Sequence, residues 1–340
     1  MNEYTETLKL YGLETNENLT TLSFEDEADW LELRTKGIGG SDVGAIMGLN
    51  KYMSPLGIYK QKILGIKNDV SGKSAVRKGK DLEPLIRSKY FAEMLGEKGF
   101  DVLELHHMLI NNKYPWLRAN LDGIAVPKDP ALRKHTNNVV IEIKVVTEYA
   151  ECNWFGDDYC GIPASYYAQV QEYMLVTETK MAILGALFEK DWEMHYFKIK
   201  ADPVFQAELL KKSKLFFEYN MGLHIPPKMD SELDKEDIVA ELSKPVDPAS
   251  VRETQEITDA AIKYKDLSKQ IKDLEAEKKL ALTEITNRYL NGERSNSPLV
   301  KIKIGTTVRS SFDVAKFKED HPEMVDNYMK TTESPNNYIR

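Results

Sequence analysis

Cysteine is nearly absent from this 340-residue chain, which has only Cys152 and Cys160. Their spacing lacks the partners of a zinc site and builds no disulfide framework, so both read as reduced thiols of a cytosolic protein. Long hydrophobic runs are missing too. No apolar stretch approaches the roughly 18 to 20 residues that span a bilayer, and the N-terminal residues are polar and acidic. Neither membrane insertion nor secretion is expected. Positive charge is in deficit: 46 Lys and Arg stand against 54 Asp and Glu, a net charge of -8. That excludes a protein coating nucleic acid by bulk electrostatics and leaves room only for focal basic grooves. No repeat or low-complexity tract stands out. What is present, 42% hydrophobic residues over 340 positions, can bury a full core and extend beyond one domain.

The periodicity divides the chain into a mixed α/β region and a charged helical extension. Residues 1 to 23 have little core content. Phe24 to Arg34 reads as a helix offering Trp30, Leu31 and Leu33 for burial, and it stops at Gly37-Ile38-Gly39-Gly40-Ser41-Asp42. There the glycines let backbone approach a ligand, and Ser41 or Asp42 would cap a short helix over Val43 to Leu49. Helices are expected over 54 to 66 and over Gly79 to Leu95, the latter with a stripe of Leu82, Leu85, Ile86 and Phe91 and with Glu83 off it. Strands are expected at Val102 to Ile110, Trp116 to Val126 and Val139 to Val146 as a mostly antiparallel meander. A helix over Tyr166 to Val176, strands at Met181 to Phe188 and Glu193 to Ile199, and a helix over Pro203 to Tyr219 follow. This makes residues 1–225 one domain, residues 226–250 an acidic, proline-containing linker, and residues 251–340 an accessory region. Its long amphipathic helix, Thr254 to Tyr289, has the pattern of half a helical hairpin or coiled coil. Val300 to Val308 reads as a strand.

The chemistry concentrates in Val139-Val140-Ile141-Glu142-Ile143-Lys144-Val145-Val146. Alternate residues of a strand share a face, so Glu142 and Lys144 project together from a run that is otherwise apolar. Buried charges need a reason: either a structural ion pair or a site. Asp122, in Leu121-Asp122-Gly123-Ile124 some twenty residues earlier, favours the site, because a neighbouring strand would bring it beside Glu142. Phosphodiester hydrolysis needs an activated water, a stabilised phosphate and a neutralised leaving oxygen. Mg2+ serves all three and prefers carboxylate oxygens, here Asp122 and Glu142, while Lys144 would orient or activate the water. Other candidates carry less. His106-His107 lies in a strand, so at most one joins a site. Tyr52, Tyr59, Trp116 and Trp154 suit base stacking or packing, and Lys73, Arg77, Lys78 and Lys80 form a phosphate-contacting run or a solvated face.

With these residues in view, the chain resembles the phage-type recombination exonucleases, the YqaJ and lambda-exonuclease branch of the PD-(D/E)XK nuclease superfamily. Five ordered motifs over residues 24 to about 200 carry the likeness: Trp30-Leu31-Glu32-Leu33-Arg34 with Gly39-Gly40-Ser41-Asp42, Gly79-Lys80-Asp81-Leu82-Glu83, Asp122-Gly123, Glu142-Ile143-Lys144, and Tyr167-Ala168-Gln169-Val170-Gln171-Glu172-Tyr173. The resemblance implies a restriction-endonuclease-like α/β core, a central mixed sheet flanked by helices, with a C-terminal helical extension. It implies that Asp122, Glu142 and the Ile143 carbonyl bind metal, that Lys144 serves the water, that Glu83 and Gln169 support the site, and that Arg34 and Ser41 take a terminal 5'-phosphate. A glycine-preceded helix start and an Arg fork agree with that last role. Where the family usually has Pro before the catalytic Asp, this chain has Leu121. Ser311-Phe312-Asp313 and Phe317-Lys318 are similar to YqaJ-like phage proteins.

The expected function is a cytoplasmic, phage- or prophage-encoded exodeoxyribonuclease. It would use two Mg2+ ions per site, with Mn2+ as a substitute, to resect linear duplex DNA from the 5' end and leave 3' overhangs. The implied partners are duplex ends, a single-strand annealing protein and further copies of the chain in a ring. Two rivals stay open: a restriction- or repair-type PD-(D/E)XK endonuclease, and a non-catalytic DNA-end-binding scaffold.

Overall fold

The computed structural model describes residues 8–9, 12–66, 74–156, 159–245, 251–296, 302–306 and 314–324. The chain divides into two compact units, residues 1–234 and 235–340. The first begins with β1 (Leu19–Ser23), α1 (Glu27–Thr35), β2 (Ile38–Gly39), α2 (Gly40–Ile46) and α3 (Pro55–Ile63). Next comes α4 (Ser74–Leu85), which widens into a π turn at Ile86–Phe91 and resumes as α5 (Ala92–Gly96). Strands β3 (Phe100–Leu103), β4 (His107–Asn111), β5 (Leu117–Arg118), β6 (Gly123–Pro127) and β7 (Val139–Val146) follow. A small hairpin, β8 (Phe155–Gly156) and β9 (Tyr159–Cys160), precedes α6 (Ala164–Thr177), β10 (Met181–Phe188), β11 (Glu193–Lys200) and α7 (Pro203–Leu215).

The architecture is the expected mixed α/β one. A five-stranded sheet has the order β11-β10-β7-β6-β3. Strand β7 is central: it pairs antiparallel with β6 and parallel with β10. A parallel neighbour requires a crossover, which α6 supplies. Both faces of β7 are therefore covered, and its β-branched run needs no polar alternation. On one face Val140 and Val146 join the core containing Ala168 and Met174 of α6. On the other, Ile141 and Ile143 pack with Ile86 and Phe91 of the π turn.

Several expectations change. Val102 to Ile110 is two strands in two sheets, because β4 leaves the meander to pair with β1. That segment contributes Leu13 and Leu19 to the core, and both are buried. Helix α1 buries none of its residues, and Leu31 is exposed. In the α4 stripe Leu85 is exposed, while Ile86 and Phe91 reach the sheet. Five residues apart, those two diverge by about 140° on a regular helix, and the wider π turn brings them to one face.

Within the stretch read as linker, Asp234 is buried and accepts from Ser54 Oγ at 2.6 Å. The second unit contains α8 (Lys235–Leu242), α9 (Gln255–Leu290) and α10 (Val314–Asp320). Of the strand read at 300–308, the described residues 302–306 form no strand, and the Ser311-Phe312-Asp313 motif and Lys73 lie outside the described residues. Among the described residues no helix is long and apolar enough to cross a membrane.

Candidate active site

Register brings the acidic pair together. Gly123 stands opposite Ile141 in the antiparallel β6–β7 ladder, so Asp122, one residue before β6, falls beside Glu142. Beyond the end of β6 the Ile143 N–H has no strand partner, and it donates to Asp122 Oδ2 at 2.7 Å. The Ile143 carbonyl leaves the strand on that same edge, since N–H and C=O of one residue point to one side. Glu142 is fully buried. It forms an ion pair with Lys144, and its Oε2 is buried with no hydrogen-bond partner.

Electrostatics show a shortage of positive charge. Burial, and then the neighbouring Glu142, push the Asp122 carboxyl up to about 8, and burial also raises Glu142. Burial alone would lower the Lys144 ammonium, but Glu142 and Asp122 outweigh it and hold it above the ordinary lysine value. Lys144 is therefore a cation here, suited to orienting a water and stabilising negative charge. It also lies over the Tyr166 ring at 4.9 Å. Glu83 approaches from α4, and its carboxyl is raised by burial and then by Asp122. Among the described residues no three His, Cys, Asp or Glu side chains form a cation cluster. A buried carboxylate with an orphaned oxygen, a half-buried one beside it, and a carbonyl on the strand edge nevertheless fit a hard divalent cation, which would supply the missing charge.

Arg34, Ser41, Gly39 and Gly40 line a cleft of about 170 Å3 together with Asp122, Gln169 and Tyr173. The proposed phosphate residues and an acidic residue thus share one cavity. Arg34 Nη2 donates to Ser41 Oγ at 2.6 Å and reaches Asp42 Oδ1 at 3.3 Å. Gln169 is buried and donates to Tyr173 Oη at 2.9 Å.

The capping of α2 differs from expectation. Gly39 is the N-cap, and Asp42 accepts its N–H at 2.8 Å. Gly40 makes room for α6 rather than only for a ligand: a Cβ there would lie 2.5 Å from the Tyr173 ring. The weaker candidates fall elsewhere. His106 precedes β4 and pairs with Glu104 at 3.8 Å, Trp154 is buried among Tyr166, Phe188 and Phe197, and Tyr59 donates to the His224 carbonyl at 2.9 Å. Trp116 donates to Ser213 Oγ at 3.0 Å, whereas Tyr52 is exposed. Lys78 and Lys80 pair with Glu189 and Glu27, each at 3.0 Å.

Sequence reasoning missed three participants. Arg87, buried in the π turn, donates to Glu83 Oε1 at 2.9 Å and to the Asp122 carbonyl at 2.7 Å, and pairs with Glu104. Lys62 of α3 pairs with Asp42 at 2.7 Å and donates to the Arg34 carbonyl at 2.7 Å. Arg118 lines the cleft shared by Arg34 and Ser41. Each joins the site across long sequence separations, and only the adjacency of Arg87 to Glu83 at helical spacing was visible in the chain.

Fold and site together define a mixed α/β protein with a carboxylate–lysine centre at its central strand and a cleft lined by Arg34, Arg118 and Ser41 beside it. Residues 29–180 match the model of the YqaJ-like viral recombinase domain. The protein YqaJ of Bacillus subtilis (strain 168), itself uncharacterized, is 24% identical over 316 residues, covering 89% of this chain and 91% of that protein. Among solved structures, an alkaline exonuclease from Laribacter hongkongensis is 19% identical with a TM-score of 0.44, covering 64% of this chain and 100% of that one. A phage-related exonuclease from Haemophilus somnus 129PT is 13% identical with a TM-score of 0.40, covering 58% of this chain and all of that one.

Proposed function

We propose that this chain is a Mg2+-dependent exodeoxyribonuclease that degrades one strand of linear duplex DNA from the 5' end, leaving 3' overhangs for recombination by strand annealing. The observation that carries the reading is the single cleft shared by Arg34, Ser41 and Asp122. A terminal phosphate held by the Arg34 fork and Ser41 hydroxyl places the next phosphodiester toward the carboxylates, which is how end recognition and cutting become one event. Asp122, Glu142 and the Ile143 carbonyl would hold the metal. Bound there, two Mg2+ ions, or Mn2+ in their place, supply charge neutralisation and an acidified water. Lys144 orients that water and offsets negative charge, Gln169 faces the site from α6, and Glu83, held by the Arg87 that also donates to the Asp122 carbonyl, supports the metal or water. The partners in this reading are duplex ends, a phage-type annealing protein and further copies of the chain in a ring, within the cytoplasm of a host cell.

The test is hydrolysis of 5'-phosphorylated linear duplex in Mg2+. Asp122→Asn and Lys144→Ala are each expected to lose about 100-fold or more in rate. Replacing the 5'-phosphate by hydroxyl should slow the wild type and leave Arg34→Ala little changed. Full activity in Asp122→Asn or Lys144→Ala overturns the site. Cutting of covalently closed circles supports the endonuclease instead, and DNA binding without hydrolysis in Mg2+ or Mn2+ supports the scaffold.

A further inference from the structure

Helix α9 runs for 36 residues and buries none of them. At 1.5 Å per residue it is about 54 Å long, and helices of that length draw most of their stability from packing an apolar face. Such a face exists. Heptad positions a (257, 264, 271, 278, 285) and d (260, 267, 274, 281, 288) are apolar except for Lys278 and Arg288. At the centre of the seam Ile271 is 58% and Leu274 62% exposed.

We propose that α9 pairs with α9 of a second copy of this chain as an antiparallel coiled coil whose midpoints coincide. Volume and charge select this arrangement. With midpoints aligned, Ile271 of each copy faces Leu274 of the other. Tyr264 faces Ala281, and Ile285 faces Ala260, so both small residues meet large ones. Lys278 lays its stem against Leu267 with its ammonium in water. At the flanking g positions Lys263 meets Glu284 on both sides of the seam. Parallel pairing would set Lys278 against Lys278 and Ala281 against Ala281, leaving a buried repulsion and a void. Slipping the antiparallel pair by one heptad sets either Glu256 against Glu284 or Glu277 against Glu277. The aligned register has the longest seam and avoids these clashes. It stands independently of the nuclease reading.

Cross-linking of the full chain tests it, in a background with Cys152→Ser and Cys160→Ser. Tyr264→Cys combined with Ala281→Cys is expected to give a disulfide-linked dimer under mild oxidation, and Tyr264→Cys alone is expected to give none. Dimer from the single variant would establish parallel pairing, and no dimer from the double variant would mean that something else covers the seam. Either result overturns the proposal. Lys263→Glu should weaken association measured by sedimentation about tenfold, from two repelling pairs. Lys263→Glu with Glu284→Lys should restore it, and failure to restore rejects the register.

Discussion

Lys62 holds Arg34 at both ends. Its ammonium bonds the Arg34 carbonyl directly and reaches the guanidinium through Asp42, with 4% of the Lys62 side chain and 2% of Asp42 exposed. Burial alone would raise the Asp42 carboxyl, but Lys62 and Arg34 outweigh it and keep it low, while burial lowers the Lys62 ammonium against the pull of Asp42. Removing one partner strands a buried charge. Lys62→Met is expected to cost about 3 kcal/mol in denaturant unfolding, the low end for such pairs because Arg34 remains. In the proposed reaction it should also narrow the preference for 5'-phosphorylated ends, with Lys62→Arg recovering more of that preference than Met. A lysine that only stabilises the fold would leave the preference unchanged.

Glu172 behaves in the opposite sense. It is fully buried, both carboxyl oxygens lack hydrogen-bond partners, and burial followed by Asp42 raises its carboxyl well above 4.5. The folded chain holds a proton that the unfolded chain releases. Stability from this group is complete below the unfolded value and falls as pH rises through the folded one, by about 1.4 kcal/mol per pH unit. Glu172→Gln should therefore flatten the dependence of thermal stability on pH above the ordinary glutamate value, with its advantage in Tm over the wild type growing as pH rises. Parallel melting curves across that range would reject this account.

At the level of elements, the packing of α2 on α6 decides whether the cleft exists. Gly40 is the contact: an added Cβ would lie 2.5 Å from Tyr173 Cε1 and 3.0 Å from Gln169 Cγ. Gly40→Ala must push apart the helix that presents Ser41 and the helix that presents Gln169. The expected cost is about 1 to 3 kcal/mol, with a loss of proposed nuclease activity at temperatures where the variant remains folded. Gly79→Ala, with nothing within 4 Å of its Cβ, should be neutral or slightly stabilising, since Ala is the better helix former. Equal effects from the two substitutions would mean that α2 and α6 tolerate separation.

Across the whole molecule, a net charge of -8 is reconciled with the proposed phosphate cleft by focusing. Arg34 and Arg118 line one cavity, and Lys62 stands behind it with Asp42. The helices and strands of the first unit were largely legible, because periods of 2 and 3.6 are properties of the backbone itself. Strands β7, β10 and β11 and helix α6 fall where the pattern put them. Legibility failed where a partner decides. Leu13 and Leu19 looked like parts of a leader because β4, some ninety residues later, supplies their burial. Arg87 stayed hidden because two of its partners, Glu104 and the Asp122 carbonyl, lie on other elements further along the chain.

By itself the sequence determined the order of elements and the pairing of Glu142 with Lys144 on one face of a strand, both of which depend on local geometry and spacing. It also ordered Asp122 and the Arg34–Ser41 segment around that strand. Only the tertiary structure decided that Asp122 caps the free edge at Ile143, that Arg34 leans on Lys62 through Asp42, and that Arg34, Ser41 and Asp122 open into one cleft. Those relations join residues 20 to about 90 positions apart. Charge pairing and burial at such separations exist only once the chain has closed on itself.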